Sequence, residues 1–177
     1  MKQIKIDLLN LETELNEIAS WDDKFSSSEN FRTIRKYVLE DNIYYSLREV
    51  INLNYEQYPI GDDEKHFIHS IKNEEDKIIG FIISDIFDIK TNPTLYIQYI
   101  VIHPLYQSLG YGSKALTEFL KNAETYVTAQ PRECFARIEC SNRDSLSVFE
   151  KAGFNFIKEE KSTFLRAKKY FPVLEKE

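Results

Sequence analysis

The chain has 177 residues, enough for one domain with a substantial core, and its 42% hydrophobic, 29% charged and 14% aromatic content is that of a globular protein. Its 29 acidic residues outnumber 23 basic ones, for a net charge of −6 with no basic cluster, which argues against a nucleic-acid partner and reads as a solvated acidic surface, with attraction of a cationic substrate such as an amine as the functional alternative. No run approaches the ~20 apolar residues of a membrane span, the opening Met1 to Lys5 lacks a signal-peptide core, and two cysteines make no disulfide framework, so a cytoplasmic chain with no membrane partner is expected.

In chain order, Met1 to Asp7 alternates Ile4 and Ile6 with polar residues and predicts a short opening strand. Leu8, Leu11, Leu15 and Ile18 follow at the spacing of an amphipathic helix. Phe31, Ile34 and Val38 repeat that spacing after a loop at Ser26-Ser27-Ser28. Ile43, Leu47, Val50 and Ile51 carry it on to a break at Pro59-Ile60-Gly61. From residue 64 the period changes to two. A hairpin turns at Asn73 to Asp76, and its second strand runs from Lys77 to Phe87. Thr91-Asn92-Pro93 reverses the chain into a strand from Leu95 to Ile102, which stops at His103-Pro104.

Ala115, Leu116, Phe119, Leu120 and Ala123 form one apolar helical face. Arg132 to Cys140 predicts a strand with Cys134, Ala136, Ile138 and Cys140 on one side. Two cysteines six residues apart in a strand stand about 20 Å apart, too far for a bridge, and both are expected as core thiols. Ser141-Asn142 opens a helix carrying Leu146, Phe149 and Ala152, which Gly153 ends. Phe154 to Lys158 and Thr163 to Phe171 close the chain as strands. The expectation is one α/β domain over residues 1–177, with a helical part at 8–58. Its mixed central sheet, flanked by helices, has parallel pairing at the crossover.

Only five glycines occur, and Gly110 and Gly112 sit two apart between a strand and a helix. Glycine there lets backbone amides approach a ligand, and a helix start stabilises an anion such as pyrophosphate. A tight turn with no ligand is the alternative. Ala115 breaks the dinucleotide fingerprint, and Gly112-Ser113-Lys114 does not make a P-loop.

The run Ile100-Val101-Ile102-His103-Pro104-Leu105-Tyr106-Gln107-Ser108-Leu109-Gly110-Tyr111-Gly112 resembles the central motif of the GNAT superfamily of acyl-CoA-dependent N-acetyltransferases. Ser141-Asn142, Ser145-Leu146 and Phe149-Glu150-Lys151-Ala152-Gly153-Phe154 are similar to its second motif, and Lys77-Ile78-Ile79-Gly80-Phe81 to the strand before the first. The resemblance spans residues 64 to about 160 and implies the GNAT-like acyltransferase fold.

That resemblance implies that Gln107-Ser108-Leu109-Gly110-Tyr111-Gly112 holds acetyl-CoA by its pyrophosphate, through the amides of Leu109 to Ser113. Main-chain groups around Ile100, Val101 and Ile102 would pair with the pantetheine arm like an added strand. Asn142 would reach the thioester region, and the helix from Ser145 to Phe149 would flank the thiol. The implied reaction is direct acetyl transfer to a primary amine on a small molecule, a peptide N-terminus or a lysine, with no metal. A homodimer is compatible with it. Two departures stand out: Phe149 occupies the place of a tyrosine that protonates the leaving thiolate, and the motif strand carries no glutamate. Taken as a regular strand, it puts Tyr96, Gln98, Ile100 and Ile102 on one face. Tyr96, Gln98, which can hold a water or orient an amine, and Glu139 are the candidates for acceptor chemistry. A CoA-binding sensor or scaffold without turnover is the alternative.

His66 and His69, three apart in a strand, face opposite sides and cannot share a metal. His103 is expected as a solvent-facing turn residue. Asp85 and Asp88 are expected as solvated or paired surface acids. Tyr44, Tyr45, Tyr55 and Tyr58 are expected in the core or at its rim, with an aromatic pocket as the alternative.

Overall fold

The computed structural model describes residues 3–21, 51, 64–127, 129–158 and 162–172. Seven strands form one sheet in the order β1-β2-β3-β4-β5-β7-β6. They are β1 (Ile4–Leu8), β2 (Glu64–Asn73), β3 (Ile78–Phe87), β4 (Thr94–Ile102), β5 (Glu133–Glu139), β6 (Asn155–Lys158) and β7 (Phe164–Tyr170). All neighbours are antiparallel except β4 and β5, the pair joined by the helical crossover. This is the expected mixed α/β sheet.

Position in the sheet explains composition. β3 is buried along nearly its whole length because helices cover both faces of the centre, which is why it is apolar without alternation. The helices are α1 (Leu15–Ala19), α2 (Tyr111–Lys121), α3 (Ala123–Val127) and α4 (Arg143–Lys151), with a short 3-10 turn at Pro104–Tyr106. One core joins Ile82, Ile86, Leu95 and Ile97 to Leu116 and Phe119 of α2 and Phe149 of α4. The other joins Ile68, Phe81, Ile83 and Val101 to Leu15 and Ile18 of α1, with Trp21 and Ile51. Among the described residues no helix is long and apolar enough to cross a membrane.

Three local expectations are corrected. The first helix does not begin at Leu8, which ends β1 paired with His69. Asn10 then turns the chain, its Oδ1 accepting the amides of Glu12 and Thr13 at 3.0 and 3.2 Å, and Glu14 reaches back to the Asn10 amide at 3.0 Å. This reciprocal cap delays the helix to Leu15. The helix through Ala123 is interrupted at Asn122, which caps α2 and whose side chain bonds back to Glu118 at 2.8 Å. Cys140 lies beyond β5, half-buried in a turn, so only Cys134 is a core thiol; both are free. The helices expected at Phe31 to Val38 and Ile43 to Val50, the loop at Ser26 to Ser28, the break at Pro59 to Gly61 and the four tyrosines lie outside the described residues.

The feature that positions the site is a bulge. In the β3–β4 register Ile83 faces Tyr99 but Ser84 faces Ile97, so Gln98 is an extra residue with no partner. It inverts the alternation of β4. Leu95 and Ile97 belong to the α2 core before it, whereas Ile100 and Ile102 pack there after it, and Tyr99 and Val101 turn to the α1 core. Tyr96 and Gln98 therefore do not share a face with Ile100 and Ile102, as a regular strand would require. Beyond the bulge β4 parts from β5. Their parallel ladder holds only Thr94 to Tyr96 against Glu133 to Phe135.

Candidate active site

Where β4 and β5 part, a cleft of about 1010 Å³ opens, at the upper end of the range for small-molecule sites. Tyr96, Gln98, Ile100, Val101 and Ile102 line it from β4, and Glu139 from β5. Gln107, Ser108, Gly110, Gly112 and Ser113 line it from the glycine loop, and Asn142, Ser145 and Phe149 from α4. Of the sequence-predicted residues only Leu109 and Tyr111 fall outside its lining. Leu109 is 50% exposed, and Tyr111 is in the core with its ring edge-on to Tyr106. What was expected of these two is their backbone amides.

The loop has the shape of an anion cradle. Ser108 at φ 57° and Gly110 at φ 85° are both left-handed, and backbone of this kind turns amides into a concavity. The strain at Ser108 costs on the order of 1 kcal/mol. Gly110 caps α2 and, having no side chain, makes no side-chain cap hydrogen bond to the first turn. A Cβ added at Gly110 would meet no atom within 4 Å, whereas one at Gly112 would touch Val148 at 3.6 Å and Ile102 at 3.7 Å. The first glycine thus faces open space and the second faces α4. Gln107 Nε2 donates to the Ile102 carbonyl at 2.8 Å and ties the loop to the end of β4.

His103 is buried, not solvent-facing. Its amide donates to Ile79 at 2.8 Å, and its Nδ1 accepts the Leu105 amide at 3.2 Å. Its ring lies edge-on to Trp21 at 4.9 Å. The turn that begins at Pro104 needs an acceptor at its start, and His103 supplies it.

Across the cleft, Asn142 caps α4 by accepting the Ser145 amide at 3.1 Å. That cap engages its side-chain oxygen. Phe149 is 3% exposed, its ring edge-on to Phe154 at 4.9 Å. Tyr96 stacks on Phe135 at 4.6 Å and 18°.

Asp85 corrects a further expectation. It is 3% exposed, bonded through one oxygen to His66 Nδ1 and through the other to Gln98 Nε2. Its signal was its place inside the apolar run of β3, where a central strand buries whatever it carries. His69 lies on the other face against Phe67, Phe119 and Tyr126. Burial lowers its pKa to about 4, against the pull of a hydrogen bond with the Tyr126 backbone and of the Asp7 charge. No group of three or more His, Cys, Asp or Glu that could hold a metal occurs among the described residues.

The profile of the acetyltransferase (GNAT) family matches residues 27–154. Curated proteins give no match. Among solved structures the chain is similar to a spermidine N-acetyltransferase from Vibrio cholerae in complex with CoA and spermine, at 17% identity, 95% coverage of each chain and a TM-score of 0.65. It is similar to a domain from Methanocaldococcus jannaschii at 17% identity, covering 97% of this chain and 100% of that one, with a TM-score of 0.65. A dodecameric Vibrio cholerae spermidine N-acetyltransferase in an intermediate state gives 13% identity, 95% and 94% coverage and 0.56. At these identities the likeness is one of fold.

Proposed function

The chain belongs to the acetyltransferase (GNAT) family, and from that premise we propose that it transfers an acetyl group from acetyl-CoA to a primary amine. The observation that carries this reading is the cleft between β4 and β5, with a left-handed glycine loop at one end and Gln98 on its wall. The strand edge beyond Tyr96 has no β5 partner, which suits an extended amide-bearing arm. The amides that begin α2 suit a pyrophosphate.

In the reaction the neutral amine attacks the thioester carbonyl carbon. The C–N bond forms, the C–S bond breaks, and the amine's proton is lost as the CoA thiolate gains one. We assign the Ile100 to Ile102 edge and Asn142 to holding the pantetheine arm, Ser145 and Phe149 to flanking the thiol, and Tyr96, Gln98 and Glu139 to the acceptor side. Two free cysteines support a reducing compartment, the cytoplasm, as its place of work. Self-association, as a homodimer or larger, belongs to the proposal because one structural neighbour is dodecameric. Light scattering tests it.

The activity test is release of CoA thiol from acetyl-CoA across a panel of primary amines, headed by spermidine and spermine because structural neighbours are named for or complexed with them. Turnover on at least one amine is expected. Tight CoA binding with no release on any would make the chain a CoA-binding sensor or scaffold instead.

A further inference from the structure

The bulge deprives Gln98 of a register partner on β3, so side chains set its orientation. Gln98, Asp85 and His66 come from three adjacent strands and share one sheet face, because Asp85 is opposite both His66 and Tyr96 in register. Asp85 accepts at both oxygens, and the side chains of His66 and Asp85 are only 7% and 5% exposed. Gln98 Nε2 donates to the second Asp85 oxygen, so the end of the Gln98 amide that faces the carboxyl is the NH2 group. The amide oxygen is then directed away from Asp85, and Gln98 lines the cleft.

We propose that Asp85, held by His66, is a positioning residue for the acyl acceptor: it locks the Gln98 amide so that its oxygen receives an N–H of the incoming primary amine. The chemistry turns on which end of the amide meets the amine. An NH2 group would donate to the amine's lone pair and occupy the electrons that must attack. The oxygen accepts an N–H and leaves the lone pair free. Burying a carboxylate is costly unless it is fully hydrogen-bonded, and here both of its oxygens hold neighbouring side chains in place. This inference rests on the acetyl-transfer reading and adds Asp85 and His66 to it.

Asp85→Asn replaces one acceptor by a donor and lets the Gln98 amide turn. We expect kcat/KM for the best amine to fall about 10-fold or more, the scale of one misplaced hydrogen bond, while acetyl-CoA affinity by titration stays within about 2-fold. In D85N/Q98E the new amide donates to the new carboxylate, whose other oxygen again offers an acceptor. That double variant should recover kcat/KM to within about 3-fold of wild type, a return that a purely structural role for Asp85 would not produce. Equal turnover by wild type and D85N overturns the inference, as does a folded double variant that binds acetyl-CoA yet stays impaired. Should D85N not fold, the double variant alone decides by the same criterion. A wild type without turnover on any amine overturns the acetyl-transfer reading as well, so the two failures are distinguishable.

Discussion

Phe149 stands where the family resemblance leads one to expect a tyrosine acid, and its ring is buried edge-on to Phe154. A thiol has a pKa near ~8.5, so its thiolate is already a tolerable leaving group at neutral pH, and protonating it is worth about a factor of 10. Phe149→Tyr should therefore change kcat by no more than about 10-fold on the best amine, in steady-state comparison with wild type. A thousandfold rescue would show that the phenylalanine had silenced the site. Residue identity alone made this substitution visible. It could not show that Asp85 and His103 are buried, because burial depends on which strands and turns surround them. Asp85 lies within β3 and His103 just past the end of β4, and each is covered by a residue from another segment: His66 for Asp85, Trp21 for His103.

The glycine loop illustrates what is legible in an element. Two glycines between a strand period and a helix period mark a junction that suits an anion, and the motif's family resemblance is what suggests the ligand. Their unequal roles are visible only with α4 in place. Gly110→Val combines a strained φ with a branched side chain in the space a ligand would fill, and acetyl-CoA affinity by calorimetry should fall at least ~10-fold. Gly112→Ala meets only ordinary contacts at 3.6 and 3.7 Å and should bind within about 3-fold of wild type. Equal losses in both would mean that the two positions are equivalent, contrary to the geometry. Periodicity also misplaced an element. The leucine spacing from Leu8 runs across a strand end and a capped turn, but Leu8 is exposed at the end of β1 whereas Leu11, Leu15 and Ile18 pack in the α1 core, so spacing alone joined residues that do not share a face.

The molecule as a whole should be acid-sensitive through His69. In the unfolded chain a histidine titrates near ~6.5, but here burial lowers the value to about 4. The unfolded state therefore binds the extra proton first, and stability falls as pH drops from about 6.5 toward about 4. The full effect is about 3 kcal/mol, with roughly 2 kcal/mol lost between pH 7 and pH 5. Urea denaturation at those two pH values should show this loss, and His69→Phe should remove most of the difference. An unchanged pH dependence in the variant would assign it to other groups. Carboxylates contribute a background slope that the comparison cancels. The fold class and the parallel pair at the crossover were readable from the alternation of periods, since a strand–helix–strand unit allows few topologies, whereas the strand order with β7 between β5 and β6 was not. Nor was the bulge, because its extra residue is defined only against the partner strand.

Only three register pairs, Thr94 to Tyr96 with Glu133 to Phe135, stitch four strands to three. The two portions are thus coupled by a short seam, and the amides along the open part of β4 rely on few cross-strand bonds from the β5 side. In hydrogen exchange such a seam sets which protons leave first. Coenzyme A lying in the cleft would bridge the portions as a removable eighth strand, so exchange at Ile97 to Ile102 should slow on adding it, while β1 and β2 change little. A hundredfold excess over Kd would add about 2.7 kcal/mol to the global opening energy. Cofactor level would then set the cohesion of the sheet as well as the rate of the reaction.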